Sequence, residues 1–150
     1  MKVVIQNVRN ATCKVDDKTV GAISYGFLIL VGFTFGDTKE IVEKMVNKIT
    51  RLRVFPDENG KTNLSLSDVN GEILSISQFT LYADIKDGNR PSFVNAMKPD
   101  EASQMYDYFN ECLEKSNIPI EKGIFGADMK LSFINDGPFT LSFTHEDLAK

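Results

Sequence analysis

The chain has 150 residues, 17 Lys+Arg against 21 Asp+Glu, and 42% hydrophobic residues, which is the length and apolar content of a single domain over 1–150 with a real core. With His145, Cys13 and Cys112 the only histidine and cysteines, no CxxC, HExxH or zinc-knuckle spacing can be written, and no metal or other cofactor is expected. The net charge of −4 argues against a protein that coats nucleic acid non-specifically.

No segment reaches the roughly 18 to 20 apolar residues of a membrane-spanning helix, and the start, MKVVIQNVRN, lacks a signal-peptide apolar stretch. A cytoplasmic protein with no membrane contact is expected. Both thiols read as small apolar fillers, and nothing near His145 in sequence would orient an imidazole for catalysis.

Alternation of apolar residues at Val3, Ile5 and Val8 opens a strand; Thr12–Val15 and Thr19–Ile23 flank Asp16-Asp17-Lys18 and predict a hairpin. The glycine-bounded apolar run 26–33 predicts a buried central strand. Asp37-Thr38-Lys39-Glu40 has the capping-box pattern, and Ile41, Met45, Ile49 and Leu52 recur at helical spacing, so a helix is expected over about 38–52. Residues 55–60 are dense in turn formers, 72–79 predict another strand, and 84–91 a loop. A second helix follows Pro99-Asp100, with Ala102, Met105, Phe109 and Leu113 on one face, ending near Ser116-Asn117. Two strands, 129–135 and 139–144, close the chain around Asp136-Gly137-Pro138. The fold class is α+β: a mostly antiparallel, barrel-like sheet core with two long helices packed on it.

Charge is uneven. Residues 1–61 carry net +3 and residues 62–150 net −7. In the first helix Lys44, Lys48 and Arg51 fall at i, i+4 and i+7, a stripe opposite the apolar face. It is either a solvated helix face or a contact for a nucleic-acid phosphate backbone. The second helix carries Asp107, Glu111 and Glu114 and would repel phosphate.

Two segments exceed folding needs. Ser77-Gln78-Phe79-Thr80-Leu81 puts polar residues at the end of an apolar strand, where fixed side chains and backbone N–H groups can face a ligand. Asn135-Asp136-Gly137-Pro138-Phe139-Thr140 places a proline, which cannot donate to a ladder, between two strands; a plain hairpin would sooner use Asn-Gly or Asp-Gly.

With these motifs the chain resembles the D-aminoacyl-tRNA deacylase family, nearly end to end: VGAI at 20–23, LRVF at 52–55, DENGKTN at 57–63, SQFTLYAD at 77–84, GNRPSF at 88–93, GIFGADM at 123–129 and NDGPFT at 135–140. The resemblance implies a homodimeric enzyme that hydrolyses the ester between a D-amino acid, or glycine mischarged on alanine tRNA, and the 3′-terminal adenosine of tRNA. It also implies a cis Gly137–Pro138 peptide inserted into the partner's active site, in a pocket lined by Ser77, Gln78, Phe79 and Thr80, with Phe125 and Ala127 beside it and Thr140 completing the second motif. The backbone N–H groups of Phe79 and Thr80 are the expected oxyanion donors. Thr80 is either a nucleophile or an orienter of water, and the second is favoured because no base accompanies it. The carbonyls of Gly137 and Pro138 would hold the substrate's α-amino group, so that an L side chain meets backbone and a D side chain points outward. Three positions depart from the commoner family pattern: Asn7 where an arginine would anchor the Gly-Pro segment, Thr62, and Phe139 in place of valine. The rival reading is a nucleic-acid-binding module of the DNA-unwinding-element type without catalysis; the end of this chain at Lys150, just past its last strand, favours the enzyme.

Overall fold

A computed structural model describes residues 1–150. Strands β1 (Lys2–Val15) and β2 (Lys18–Gly32) form one long antiparallel hairpin, paired from Lys2↔Gly32 to Val15↔Lys18. Asp16 and Asp17 at its tip both have positive φ, 50° and 63°, the twist that suits tight hairpin turns. The sequence pattern breaks this region into four segments, 3–8, 12–15, 19–23 and 26–33; the structure makes two strands, the last two segments running together as β2. The join lies at Gly26, φ 148°, whose Cβ, if present, would stand 1.9 Å from the Glu72 carbonyl oxygen. Only glycine lets β2 run on while its neighbour approaches that closely.

Helix α1 spans Lys39–Arg51, within a residue of the expected span at either end. Its cap differs: Thr38, not Asp37, is the N-cap, accepting from Ile41 N at 3.3 Å. Asp37 is freed for a buried ion pair with the Met1 ammonium at 2.6 Å, and its other oxygen accepts from Thr34 N. The Met1 amine also lies 3.1 Å from His145 Nδ1, so the single histidine packs against the chain start.

The short strands β3 (Phe55–Pro56) and β4 (Thr62–Leu64) pair around the Asp57–Gly60 turn. Strand β5 (Glu72–Ser77) runs parallel to β2 and stops earlier than its apolar run implies. Phe79–Tyr82 is a 3-10 turn instead of strand. Helix α2 (Pro99–Glu114) starts with Pro99 and buries Ala102, Tyr106, Phe109, Asn110 and Leu113. Tyr106 is thus the inward residue and Met105 is only half-buried. After α2 comes β6 (Ile120–Lys122), parallel to β5 and too short for periodicity to show.

The expected final pair of strands is a single strand, β7 (Lys130–Thr144), antiparallel to β1. Gln6 pairs Thr140 and Val8 pairs Asn135, so residues 136–139 are pushed out opposite Asn7. β1 is long enough to serve both halves, and the proline has no N–H to lose from the ladder. The Gly137–Pro138 peptide is cis.

The sheet order is β6-β5-β2-β1-β7; its longest ladders are antiparallel, and its hydrogen bonding is open at β6 and β7. Both helices pack on one face, where Val3, Ile5, Phe27 and Ile29 meet Val42, Met45, Ile49, Phe109 and Leu113. The other face holds a smaller cluster of Val8, Cys13, Leu28, Leu74 and Ile76 under Met129, Leu131 and Phe133. No helix is long and apolar enough to cross a membrane.

Candidate active site

A cavity of about 710 Å³ opens at the C-terminal end of β5. Ser77, Gln78 and Phe79 form one wall, Phe125 and Ala127 a second, and the start of α2 (Pro99, Ala102) with Met97 a third. β5 delivers the first wall because its ladder with β2 continues to Ser77↔Val31, and Gln78 N donates to Val31 O at 2.7 Å. The chain then tightens into the 3-10 turn. Gln78 Nε2 donates to Thr80 Oγ1 at 2.5 Å, so the Thr80 hydroxyl is tied to a side chain of the pocket wall although Thr80 itself does not line the cavity. The N–H groups that begin a helical turn have no partner inside it, which leaves those of Phe79 and Thr80 without an intrahelical acceptor.

The second wall hangs on a buried polar knot. The Ser75 carbonyl accepts from the Tyr106 hydroxyl at 2.7 Å and from Gly123 N at 3.0 Å, while Ser75 Oγ donates to Asn110 Oδ1 at 2.7 Å. Strand, helix and the 123–129 segment are thereby fixed to one atom. Burial pushes the Tyr106 hydroxyl above the ordinary tyrosine range, the hydrogen bonds opposing it only in part, so it stays a neutral donor. Its ring lies 6.1 Å from that of Phe125. Exposed aromatics extend the apolar lining: Phe79 and Phe93 meet edge to face at 5.0 Å, and Phe35 is also open to solvent. Periodicity cannot separate such aromatics from core ones, and Phe93 was not among the expected site residues; the one sequence signal for it is its place in the GNRPSF motif.

The remaining predicted site residues lie elsewhere. Gly137, Pro138 and Thr140 belong to β7, two strands beyond β2 on the far side from β5. None of them lines the cavity. Gln6 Nε2 donates to Thr140 Oγ1 at 3.5 Å, a long contact. Asn7 does not reach the Gly-Pro segment: it is buried, donates from Nδ2 to Val54 O at 2.9 Å, and leaves Oδ1 without a partner. The anchor is Arg9, two residues on. Its Nε donates to Asp136 Oδ2 at 2.8 Å, and its guanidinium sits 4.1 Å over the Tyr25 ring. Sequence reasoning missed it; the signal was an arginine at the next position facing the same way along a strand. Lys44, Lys48 and Arg51 are exposed on α1, away from the cavity.

Both thiols are held above the ordinary range by burial, and neither lines the cavity. No three His, Cys, Asp or Glu side chains stand close enough to hold a metal ion.

The chain as a whole resembles known proteins. A family model described as D-Tyr-tRNA(Tyr) deacylase matches residues 4–144. The chain belongs to that family. It is 56% identical to the D-aminoacyl-tRNA deacylase of Lactobacillus acidophilus over 94% of this chain and 97% of that one, and 54% identical to the enzyme of the same name from Limosilactobacillus reuteri over 95% and 99%. Among solved structures, one titled c-Myc DNA Unwinding Element Binding Protein superposes with a TM-score of 0.90 at 42% identity, covering 95% of this chain and 97% of that one. A probable eukaryotic D-amino acid tRNA deacylase shares the fold, with a TM-score of 0.82 at 20% identity over 95% and 97%. Family membership makes the protein a hydrolase.

Proposed function

We propose that the protein hydrolyses the ester joining a D-amino acid to the 3′-terminal adenosine of tRNA, working as a homodimer in which Gly137–Pro138 of each subunit enters the pocket of the other. The observation that carries this reading is the division of the site. One motif lines an apolar cavity at the end of β5, while Gly137 and Pro138 bulge from β7 and stay outside that lining, although Leu131 of the same strand reaches it; a second chain supplies the missing peptide.

An aminoacyl ester is already activated and asks for positioning, an oxyanion site and a water rather than a histidine base. Water oxygen bonds to the carbonyl carbon, the bond to the ribose 3′-oxygen breaks, and the water's proton ends on that oxygen. The N–H groups of Phe79 and Thr80 face the developing oxyanion. Thr80, tied to Gln78, orients water, and the adenosine 2′-hydroxyl assists. Ser77, Gln78, Phe79, Phe125 and Ala127 surround the aminoacyl-adenosine end, with Thr140 supporting the inserted peptide. The carbonyls of Gly137 and Pro138 take the α-amino group, so an L side chain collides with backbone. Glycine has no side chain to reject, so glycyl-tRNA, including glycine mischarged on alanine tRNA, is a substrate.

Deacylation of D-tyrosyl-tRNA beside L-tyrosyl-tRNA tests this. Turnover of the D-ester alone is expected; no turnover of it refutes the activity, and equal turnover of both refutes the chiral filter. Binding of a DNA duplex with no ester hydrolysis would favour the nucleic-acid-binding reading instead.

A further inference from the structure

Lys48, Arg51 and Arg53 line, with Asn47 and Leu52, a second cleft of about 280 Å³ at the C-terminal end of α1. None of these cations, nor Lys44 one turn back, belongs to any of the chain's four ion pairs. Arg53 is held in place, donating from Nε to the Asn63 carbonyl at 2.8 Å and from its terminal nitrogen to Asn63 Oδ1. Part of the cluster offsets the carbonyl end of the helix dipole, but Arg53 lies beyond the helix and Lys44 within it. Unpaired cations gathered in a chain of net charge −4 are the complement of a phosphate strand.

The place of the cleft says which subunit's substrate it serves. Val54, next to Arg53, accepts from Asn7, the β1 residue opposite the 136–139 bulge. Phe55 packs 5.3 Å from Tyr25, which carries the Arg9 guanidinium that holds Asp136. The cleft is therefore joined to the Gly137–Pro138 bulge by consecutive contacts through Val54, Asn7 and Tyr25, and shares no lining residue with the cavity of its own chain.

We propose that this cleft grips backbone phosphates of the tRNA acceptor stem in trans: it travels with the Gly137–Pro138 bulge, so each subunit's cations hold the tRNA whose esterified end occupies the partner's pocket. The inference rests on the cross-subunit reading above.

The test begins with Lys48→Ala/Arg51→Ala. Its KM for D-tyrosyl-tRNA should rise about tenfold at moderate salt with kcat nearly kept, and the slope of log KM against log salt should fall by about 2. Lys48→Arg/Arg51→Lys should restore both. An unchanged slope overturns the phosphate contact. Differently tagged heterodimers then separate cis from trans. In one, a subunit with its pocket filled by Ala127→Trp but its cations intact is paired with the cation-deficient subunit; the only working pocket faces intact cations, and near-normal KM is expected. In the other, all three changes sit in one subunit paired with wild type, and a raised KM is expected. The reverse pattern overturns the trans arrangement. A monomeric wild type in sedimentation, still active on the D-ester, would overturn the cross-subunit reading itself.

Discussion

Arg9 shows how much a single side chain decides here. The position from which an arginine was expected to anchor the Gly-Pro segment holds Asn7, yet a guanidinium reaches Asp136 from two residues further along β1. Both partners are about half exposed, so the pair itself contributes at most about 1 kcal/mol, with a similar amount from the Tyr25 ring. Arg9→Ala should therefore lower the melting temperature only slightly while reducing kcat/KM on D-tyrosyl-tRNA by about tenfold or more, since misplacing a positioning group is costly out of proportion to its binding. Asp57 illustrates a different case, a residue whose bonds hold the 57–63 turn. Its carboxylate is held below the ordinary range, first by the Lys61 N–H and then by those of Asn59 and the Asn63 amide. A depressed carboxyl stabilises the native state fully above its unfolded value, near 4, and loses that contribution as pH falls further. Asp57→Ala should thus lower stability at neutral pH and flatten its fall with acid; denaturant melts at several pH values measure both.

At the level of elements, the helices were legible and the strand boundaries were not. The 3.6-residue period set α1 and α2 to within a few residues, because an amphipathic helix carries its burial pattern within itself. Strands owe theirs to neighbours. β1 and β2 became one continuous hairpin, and β7 one strand with a bulge, because each found a partner long enough to pair along its whole length. β5 ended at Ser77 because the chain turns there to form the pocket wall. Gly26 is the point where this architecture is most easily broken. A Cβ at that position would overlap the Glu72 backbone, and φ of 148° is unfavourable for any side chain. Gly26→Ala should separate β2 from β5 and cost more than about 4 kcal/mol, seen as loss of the cooperative thermal transition or of soluble protein.

For the whole molecule the open β7 side matters most. Ile134 is 54% exposed, and Leu131, Phe133, Phe139, Leu141 and Phe143 on the same strand are only partly covered. An edge strand with this much apolar surface invites pairing unless something covers it, and in the proposed dimer the partner does. Ile134→Lys should shift the protein from dimer to monomer in sedimentation or light scattering, leave its far-ultraviolet dichroism intact, and abolish hydrolysis of D-tyrosyl-tRNA because the inserted peptide is then missing. A dimeric, active Ile134→Lys protein would place the interface on another surface.

The sequence by itself determined the α+β class, both helices, and the two motifs around Ser77–Thr80 and Gly137–Pro138, since turn residues, helical periods and unusual dipeptides are local properties of a chain. It also limited the chemistry, as a chain with one histidine and two cysteines has few groups with which to do histidine-based acid–base or metal work. Only the tertiary structure decided that Ser77, Phe125 and Ala127 share one cavity, that Tyr106 ties its walls through the Ser75 carbonyl, that Arg9 replaces the expected anchor, and that the Gly-Pro bulge stays outside the pocket lining of its own chain. Each of these is a contact between residues distant in sequence, fixed by which strands pair and in what register, and register is a property of two strands at once.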